Sequence, residues 1–324
     1  MKLLVTGGAG FIGSNFIYHI LEKYPDYEVI NLDALTYAGN LDNLKEAEEK
    51  FKGRYEFVKG DICDEGLVDE LVRGVDAIVH FAAESHVDRS IEDPDIFLKT
   101  NILGTHTLLK AALKHNKKRF HHVSTDEVFG SLSLDGNEKF SEKTPYDPRS
   151  PYSASKASSD HLVRAYFHTY ALPVTISNCS NNYGPYQFPE KIIPLFILNA
   201  MEDKSLPIYG DGKSVRDYIF VKDHCNGIDL VLHKGKIGET YCMGGESEKN
   251  GIEMADIILD TLKKPESLKM FVGDRLGHDR RYAIDNSKIK SELGWSPKVS
   301  FEEGIKNTID WYLKNQEWVK HLKK

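Results

Sequence analysis

Cysteine is scarce in this sequence. The 324 residues contain four, Cys63, Cys179, Cys225 and Cys242, with no C-x-x-C pair and no spacing suited to a metal. The thirteen histidines do not supply one either. His121-His122 sits inside an apolar run and reads as strand, so no metal is expected. An excess of positive charge is also missing. Lys and Arg number 42 against 49 Asp and Glu, a formal charge of -7, so no broad basic field is available for nucleic acid or an anionic membrane. No apolar run reaches the length of a membrane span. Met1–Val5 leads straight into a glycine turn without the pattern of a signal peptide, so a cytoplasmic protein is expected. Repeats and low-complexity tracts are absent, and 40% hydrophobic with 28% charged residues is an ordinary globular balance.

What is present is alternation. Lys2–Thr6, Glu28–Leu32, Tyr55–Val58, Ala77–Phe81, Arg119–Ser124 and Pro173–Asn178 read as strands. Ser14–Lys23, Glu65–Arg73, Ile96–Lys114 and Ala154–Tyr170 between them read as helices. That order predicts an α/β fold, a doubly wound parallel sheet of Rossmann type. Beyond about residue 180 prolines and glycines become frequent and the alternation fades, with later helices expected at Gly251–Lys263 and Phe301–Lys314. The expected division is a dinucleotide-binding domain over 1–180 and a smaller α/β substrate domain over 181–324, with later segments free to return to the first.

Gly7, Gly10 and Gly13 follow the first strand and open a helix. Missing side chains there permit a tight turn and let a pyrophosphate approach backbone N–H groups at a helix N-terminus. The second strand ends at Asp33, 20 residues beyond Gly13 (33 − 13). A carboxylate at that point can hold an adenosine ribose and repels a 2′-phosphate, which favours NAD over NADP. Asp61-Ile62, after the third strand, stands where the adenine would lie, although an ordinary loop aspartate fits equally well.

Tyr152 and Lys156 form a Tyr-x-x-x-Lys pair on a helix signalled by Pro151, and the i, i+4 spacing puts both on one face. The ammonium is expected to draw the phenol's pKa below its usual ~10. At the end of the fifth strand, Thr125-Asp126-Glu127 places two carboxylates side by side, an arrangement that raises at least one pKa and yields an acid and a base. A capping Asp followed by a solvated Glu is the plainer explanation.

Gly7–Gly13 with Tyr152 and Lys156 resembles the extended short-chain dehydrogenase/reductase superfamily. The Thr-Asp-Glu run resembles the nucleotide-sugar 4,6-dehydratases within it. The runs Ala82–Ser90, Cys179–Tyr186 and Asp274–Tyr282 look like the branch of that family acting on dTDP-glucose, and the similarity covers essentially the whole chain. The resemblance implies C4 oxidation with Tyr152 as base, Lys156 holding the nicotinamide ribose and Thr125 assisting. Elimination of water across C5 and C6 by Glu127 and Asp126 follows, then reduction at C6 with the same NAD.

It further implies cofactor contacts from Gly7, Gly10, Phe11, Ile12, Gly13, Asp33, Ala34, Leu35, Thr36, Asp61, Ile62, Phe81, Ala82, Ala83, Ser85, Thr100 and Asn182, besides Tyr152 and Lys156. The nucleotide diphosphate sugar would meet Glu84, Ser85, Thr125, Asn181, Lys191, Pro207, Tyr209, Arg216, Asn250, Arg275 and His278. Where the family carries an asparagine after a Gly-Gly-x-Asn-Glu-Lys stretch, Gly251 stands here, with Asn250 beside it. A homodimer is implied, paired through Ile96–Lys114 and Ala154–Tyr170. A dehydratase of a UDP- or GDP-hexose, a nucleotide-sugar 4-epimerase and a non-catalytic NAD sensor remain the alternatives. The acid–base pair argues against the epimerase, and the combined site against the sensor.

Overall fold

The structure, a computed structural model, describes residues 1–116, 118–274 and 276–322. Its strands are β1 (Lys2–Thr6), β2 (Glu28–Asp33), β3 (Tyr55–Lys59), β4 (Ala77–His80), β5 (Arg119–Thr125), β6 (Val174–Cys179), β7 (Asn181–Tyr183), β8 (Leu206–Tyr209), β9 (Val215–Phe220), β10 (Thr240–Met243), β11 (Glu248–Asn250) and β12 (Lys269–Val272). Seven of them form one parallel sheet in the order β10-β6-β5-β4-β1-β2-β3. The strand order reverses between β1 and β4, which opens a crevice at their C-terminal ends.

The helices are α1 (Phe11–Lys23), α2 (Lys45–Lys50), α3 (Glu65–Arg73), α4 (Val87–Glu92), α5 (Pro94–Phe97), α6 (Thr105–Lys114), α7 (Pro151–Tyr170), α8 (Ile192–Met201), α9 (Val221–Lys234), α10 (Gly251–Leu262), α11 (Ser287–Leu293), α12 (Phe301–Lys314) and α13 (Gln316–Leu322). Side chains alternate along a strand, so a sheet covered on both sides must be apolar on both. In β1, Leu3 and Val5 join the core under α1 and α9, whereas Leu4 joins the core under α3, α6 and α7. Ala77 and Val79 of β4 go to the first of these cores and Ile78 to the second. Burying each such side chain stabilises the fold by roughly 1.5–3 kcal/mol.

The chain beyond residue 181 does not stay apart from the sheet. Its own core gathers Phe196, Ile208, Phe220, Met254, Ile305 and Tyr312, around a mixed sheet β11-β9-β7 and a pair β12-β8. Helix α9, however, packs against α1 on the large sheet, and β10 pairs with β6 at its edge. The expected break at 180 is thus crossed more than once.

Ile96–Lys114 is not one regular helix either. It enters through α5, widens into π-helical turns over Leu98–Gly104, and closes again in α6. The Asn101 carbonyl in this stretch accepts hydrogen bonds from the hydroxyls of Thr105 and Ser159, both at 2.6 Å. Its side chain bridges the Glu84 backbone and Ser155. These side-chain bonds take over what the regular ladder would supply and turn Thr100 toward the crevice.

Candidate active site

A cavity of about 680 Å³ runs from the C-terminal ends of β1, β2 and β4 past β5 to β8 and β9. Its first wall is the glycine turn. Gly7 has φ +71°, and a Cβ there would lie 2.6 Å from Ala82 N, so a larger residue is excluded on two grounds. A Cβ on Gly13 would stand 2.3 Å from Gly7 O. On Gly10 it would meet only Gly7 O, at 3.2 Å, and would occupy the cavity instead. Gly10 caps α1 without a side-chain bond, and the first turn contains no acid, so the positive end of α1 is left for an anion. Asp33 closes this wall. Its carboxylate accepts from Ala9 N at 2.9 Å and Leu35 N at 2.8 Å, which orients it and leaves acceptor capacity for a ribose diol. The residues present fit a dinucleotide without a 2′-phosphate.

The second wall comes from β5 and α7. Helix α7 begins where a capping box requires: Ser150 Oγ accepts from Ser153 N at 3.1 Å, and Ser153 Oγ from Ser150 N at 2.9 Å, with Pro151 in the first turn. That start places Tyr152 and Lys156 one turn apart, both buried and both on the cavity. The Tyr152 phenol faces Thr125, Glu127 and Cys179. Thr125, the last residue of β5, accepts from Glu127 N at 3.3 Å, so the threonine caps the short turn that carries the two carboxylates.

Asp126 is completely buried. Its Oδ1 accepts from Thr125 Oγ1 at 3.3 Å, and among the described residues its Oδ2 has no hydrogen-bond partner. Burial first, then the charges of Glu127 and Asp217, push its pKa well above the usual carboxylate range. A carboxyl raised in this way holds its proton to higher pH than an ordinary carboxylate, which suits it to proton donation.

The third wall belongs to the later segments. Arg216 on β9 lies 4.1 Å over the Tyr282 ring and donates to Val215 O and Asp279 O. Lys191, at the N-terminus of α8, donates to Ser85 O at 3.1 Å. His278 meets Asp274 at 2.6 Å and the Tyr209 ring edge-on. Asn181 presents a buried Oδ1 with no partner among the described residues. Two cations, an amide and an aromatic thus line one end of a cavity whose other end is built for a dinucleotide. Among the described residues no group of three or more His, Cys, Asp or Glu is arranged for a metal ion, and no helix is long and apolar enough to cross a membrane.

Known proteins share this arrangement over their whole length. Residues 4–308 match the family model described as GDP-mannose 4,6 dehydratase. A dTDP-glucose 4,6-dehydratase of Xanthomonas campestris pv. campestris (strain B100) is 56% identical, with 98% of this chain and 94% of that protein covered. One from Escherichia coli is 53% identical over 100% of this chain and 96% of its own. Among solved structures, DesIV, the dTDP-glucose 4,6-dehydratase of Streptomyces venezuelae crystallised with NAD, superposes with a TM-score of 0.95 at 52% identity, covering 99% of this chain and 100% of that one. The chain belongs to the dTDP-glucose 4,6-dehydratase family.

In this dehydratase nearly every residue expected at the site from sequence lies on the one cavity, but there are exceptions. Leu35 does not line it. Its backbone, at φ +53°, turns to hydrogen-bond Asp33. Asn250 is spent as the cap of α10, its side chain accepting from Ile252 N and Glu253 N, and Gly251 is the residue that reaches the cavity. Arg275 lies outside the described residues.

The electrostatics of Tyr152 also differ from expectation. Burial and the Glu127 charge hold the phenol well above its ordinary pKa, while Lys156 Nζ is engaged by Val123 O at 2.8 Å. The lysine is itself lowered by burial. Burial, not the neighbouring ammonium, sets the direction of the phenol's shift.

Sequence reading missed a cluster at the cavity rim. Tyr37 donates to Glu190 Oε1 at 3.1 Å, under the Arg89 guanidinium at 3.8 Å from its ring. Tyr37 follows Thr36, Glu190 precedes Lys191, and Arg89 lies inside the motif Ala82–Ser90, so each was adjacent to a residue already singled out.

Proposed function

We propose that the protein converts dTDP-glucose to its 4-keto-6-deoxy derivative with loss of water. The observation that carries this reading is Asp126, buried with Oδ2 unpartnered among the described residues, beside Glu127 on the strand end that faces Tyr152. An epimerase that only oxidises and reduces C4 has no use for such a pair. NAD, held by the Gly7–Gly13 turn and Asp33, would supply a reversible hydride acceptor at C4, so no external reductant would be consumed. Tyr152 takes the proton of the C4 hydroxyl, with Thr125 steadying the oxygen and Lys156 holding the adjoining ribose. The C4 ketone acidifies the C5 hydrogen, Glu127 removes that proton, and Asp126 protonates the departing C6 hydroxyl, which leaves as water. Glu127, its proton exchanged with solvent, then protonates C5 as C6 receives the hydride. Arg216 and Lys191 supply the positive charge a diphosphate needs on an acidic chain, Asn181 and His278 bond its polar edge, and Tyr209 offers a face to the base.

The test is incubation of the NAD-bound protein with dTDP-, UDP- and GDP-hexoses in D2O, followed by NMR of the products. A 4-keto-6-deoxy sugar carrying deuterium at C5, formed preferentially from dTDP-glucose, is expected. A C4 epimer without loss of water would remove the dehydratase reading, and preference for another nucleotide would change the substrate.

The protein is also proposed to act as a cytoplasmic homodimer. Its four free cysteines fit a reducing compartment, and recovery in a membrane or secreted fraction would overturn that placement. Ile91, Ile96, Leu98 and Leu103, on α4, α5 and the π-helical turns, are 38–58% exposed. Apolar side chains grouped in this way are suited to a partner. Leu103→Lys is expected to convert a dimer to monomer in sedimentation equilibrium. A variant of unchanged mass, or a parent already monomeric, would exclude this surface.

A further inference from the structure

One buried acid close to the site takes no part in the chemistry above. Asp160 lies on α7 one turn beyond Lys156 and is fully inaccessible to solvent. Its Oδ2 accepts from Tyr146 OH at 2.7 Å, Ser124 Oγ at 3.0 Å and Asn178 Nδ2 at 3.2 Å. Two of these donors lead directly to the catalytic turn. Ser124 precedes Thr125, and Asn178 Nδ2 also donates to the Thr125 carbonyl at 3.0 Å. Oδ1 lies 3.2 Å from His122 Nε2 on β5.

We propose that Asp160 is a positioning residue that locks the catalytic end of β5 to α7 and supplies the counter-charge that keeps Lys156 cationic. The proposal deepens the dehydratase reading and rests on it for the role of Lys156. A buried charge requires an opposite charge and hydrogen bonds, and three donors from three different segments provide the bonds. The groups facing Asp160 decide which is the cation. His122 from β5 is held down to about 4 by burial and is neutral near pH 7, as is His80, whose ring is 5.2 Å behind it. Tyr146 stays a neutral donor, itself bonded by Arg164 Nη2 at 2.7 Å. Lys156 remains as the buried cation on the same helix. Burial lowers the pKa of Lys156 and Asp160 raises it; burial in turn raises Asp160, while His122 and then Lys156 lower it.

Asp160→Asn keeps the shape and removes the charge. In the NAD-bound protein, Lys156 should then titrate about one pH unit or more lower, followed by NMR of its ε-carbon. The kcat for dTDP-glucose should fall about tenfold or more with KM nearly unchanged, because Asp160 does not touch the sugar. Asp160→Glu should recover much of the lysine titration. If Asp160→Asn does not fold, Tyr146→Phe removes one donor from outside the cavity and should lower kcat about threefold at constant KM. Parent values of kcat and of the Lys156 titration in the folded variant would overturn the proposal. So would a parent kcat in Tyr146→Phe when Asp160→Asn cannot be made. The lysine titration is independent of the sugar turned over, so an inactive parent would refute the dehydratase reading while the charge pairing was still decided.

Discussion

Tyr152→Phe is expected to abolish reduction of the bound NAD by dTDP-glucose. The appearance of reduced nicotinamide in a single turnover should slow by about 10³-fold, within the range that a positioned acid or base contributes and equivalent to about 4 kcal/mol of barrier. The substitution keeps the ring that packs edge-on against Phe97 at 6.2 Å, so the fold and the cofactor should be retained. The sign of the pH dependence follows from the surroundings of the phenol. Burial and Glu127 hold its pKa well above the usual value, so the deprotonated form is scarce at neutral pH and C4 oxidation should accelerate as the pH rises. The Phe variant should lose that rise. A variant within tenfold of the parent would show that another group takes the C4 proton.

The second large effect separates the elimination from the oxidation. Asp126→Asn combined with Glu127→Gln is expected to leave C4 oxidation within about tenfold of the parent while formation of the 4-keto-6-deoxy product falls about 10²–10⁴-fold. Reduced nicotinamide should therefore accumulate. Both changes are close to isosteric, and an amide at 126 adds no charge to a site where burial already disfavours the carboxylate. Because burial raises that carboxyl, it keeps its proton to higher pH than an ordinary carboxylate and loses it as the pH climbs further. In the parent, elimination should weaken on the alkaline side where oxidation is still gaining, and product assays across pH would display the two limbs. Should the double variant make product at the parental rate, Asp126 and Glu127 are not the acid and base.

Much of this architecture was legible in the sequence because it obeys local rules. β1 and α3 fall where alternation and amphipathic spacing put them, since a strand buried on both faces admits few residue types. The glycine turn with Asp33 and the Tyr152–Lys156 pair are short-range patterns whose chemistry is tied to their spacing. Other features are set by partners distant in the chain. The π-helical turns over Leu98–Gly104 depend on the Ser159 hydroxyl reaching Asn101 from α7, and no periodicity within 96–114 reports that. Asn250 resembled a ligand by motif, yet its oxygen satisfies two N–H groups of α10. The pKa of Tyr152 turns on burial, which a Tyr-x-x-x-Lys spacing does not reveal.

The return of the chain to the large sheet bears on how such a protein can be divided. A fragment ending at residue 180 would carry the glycine turn, both carboxylates and the Tyr152–Lys156 pair. It would lack α9, whose Ile228, Val231 and Leu232 cover the α1 side of the sheet. It would also lack β10, leaving β6 as a bare edge. An uncovered apolar face beside an unpaired strand is a template for aggregation rather than a module. The later half therefore cannot be exchanged as a cassette by a single crossover. Genetic tailoring of this scaffold toward other sugars is confined to residues within loops and strand ends, because its two lobes are one continuous weave.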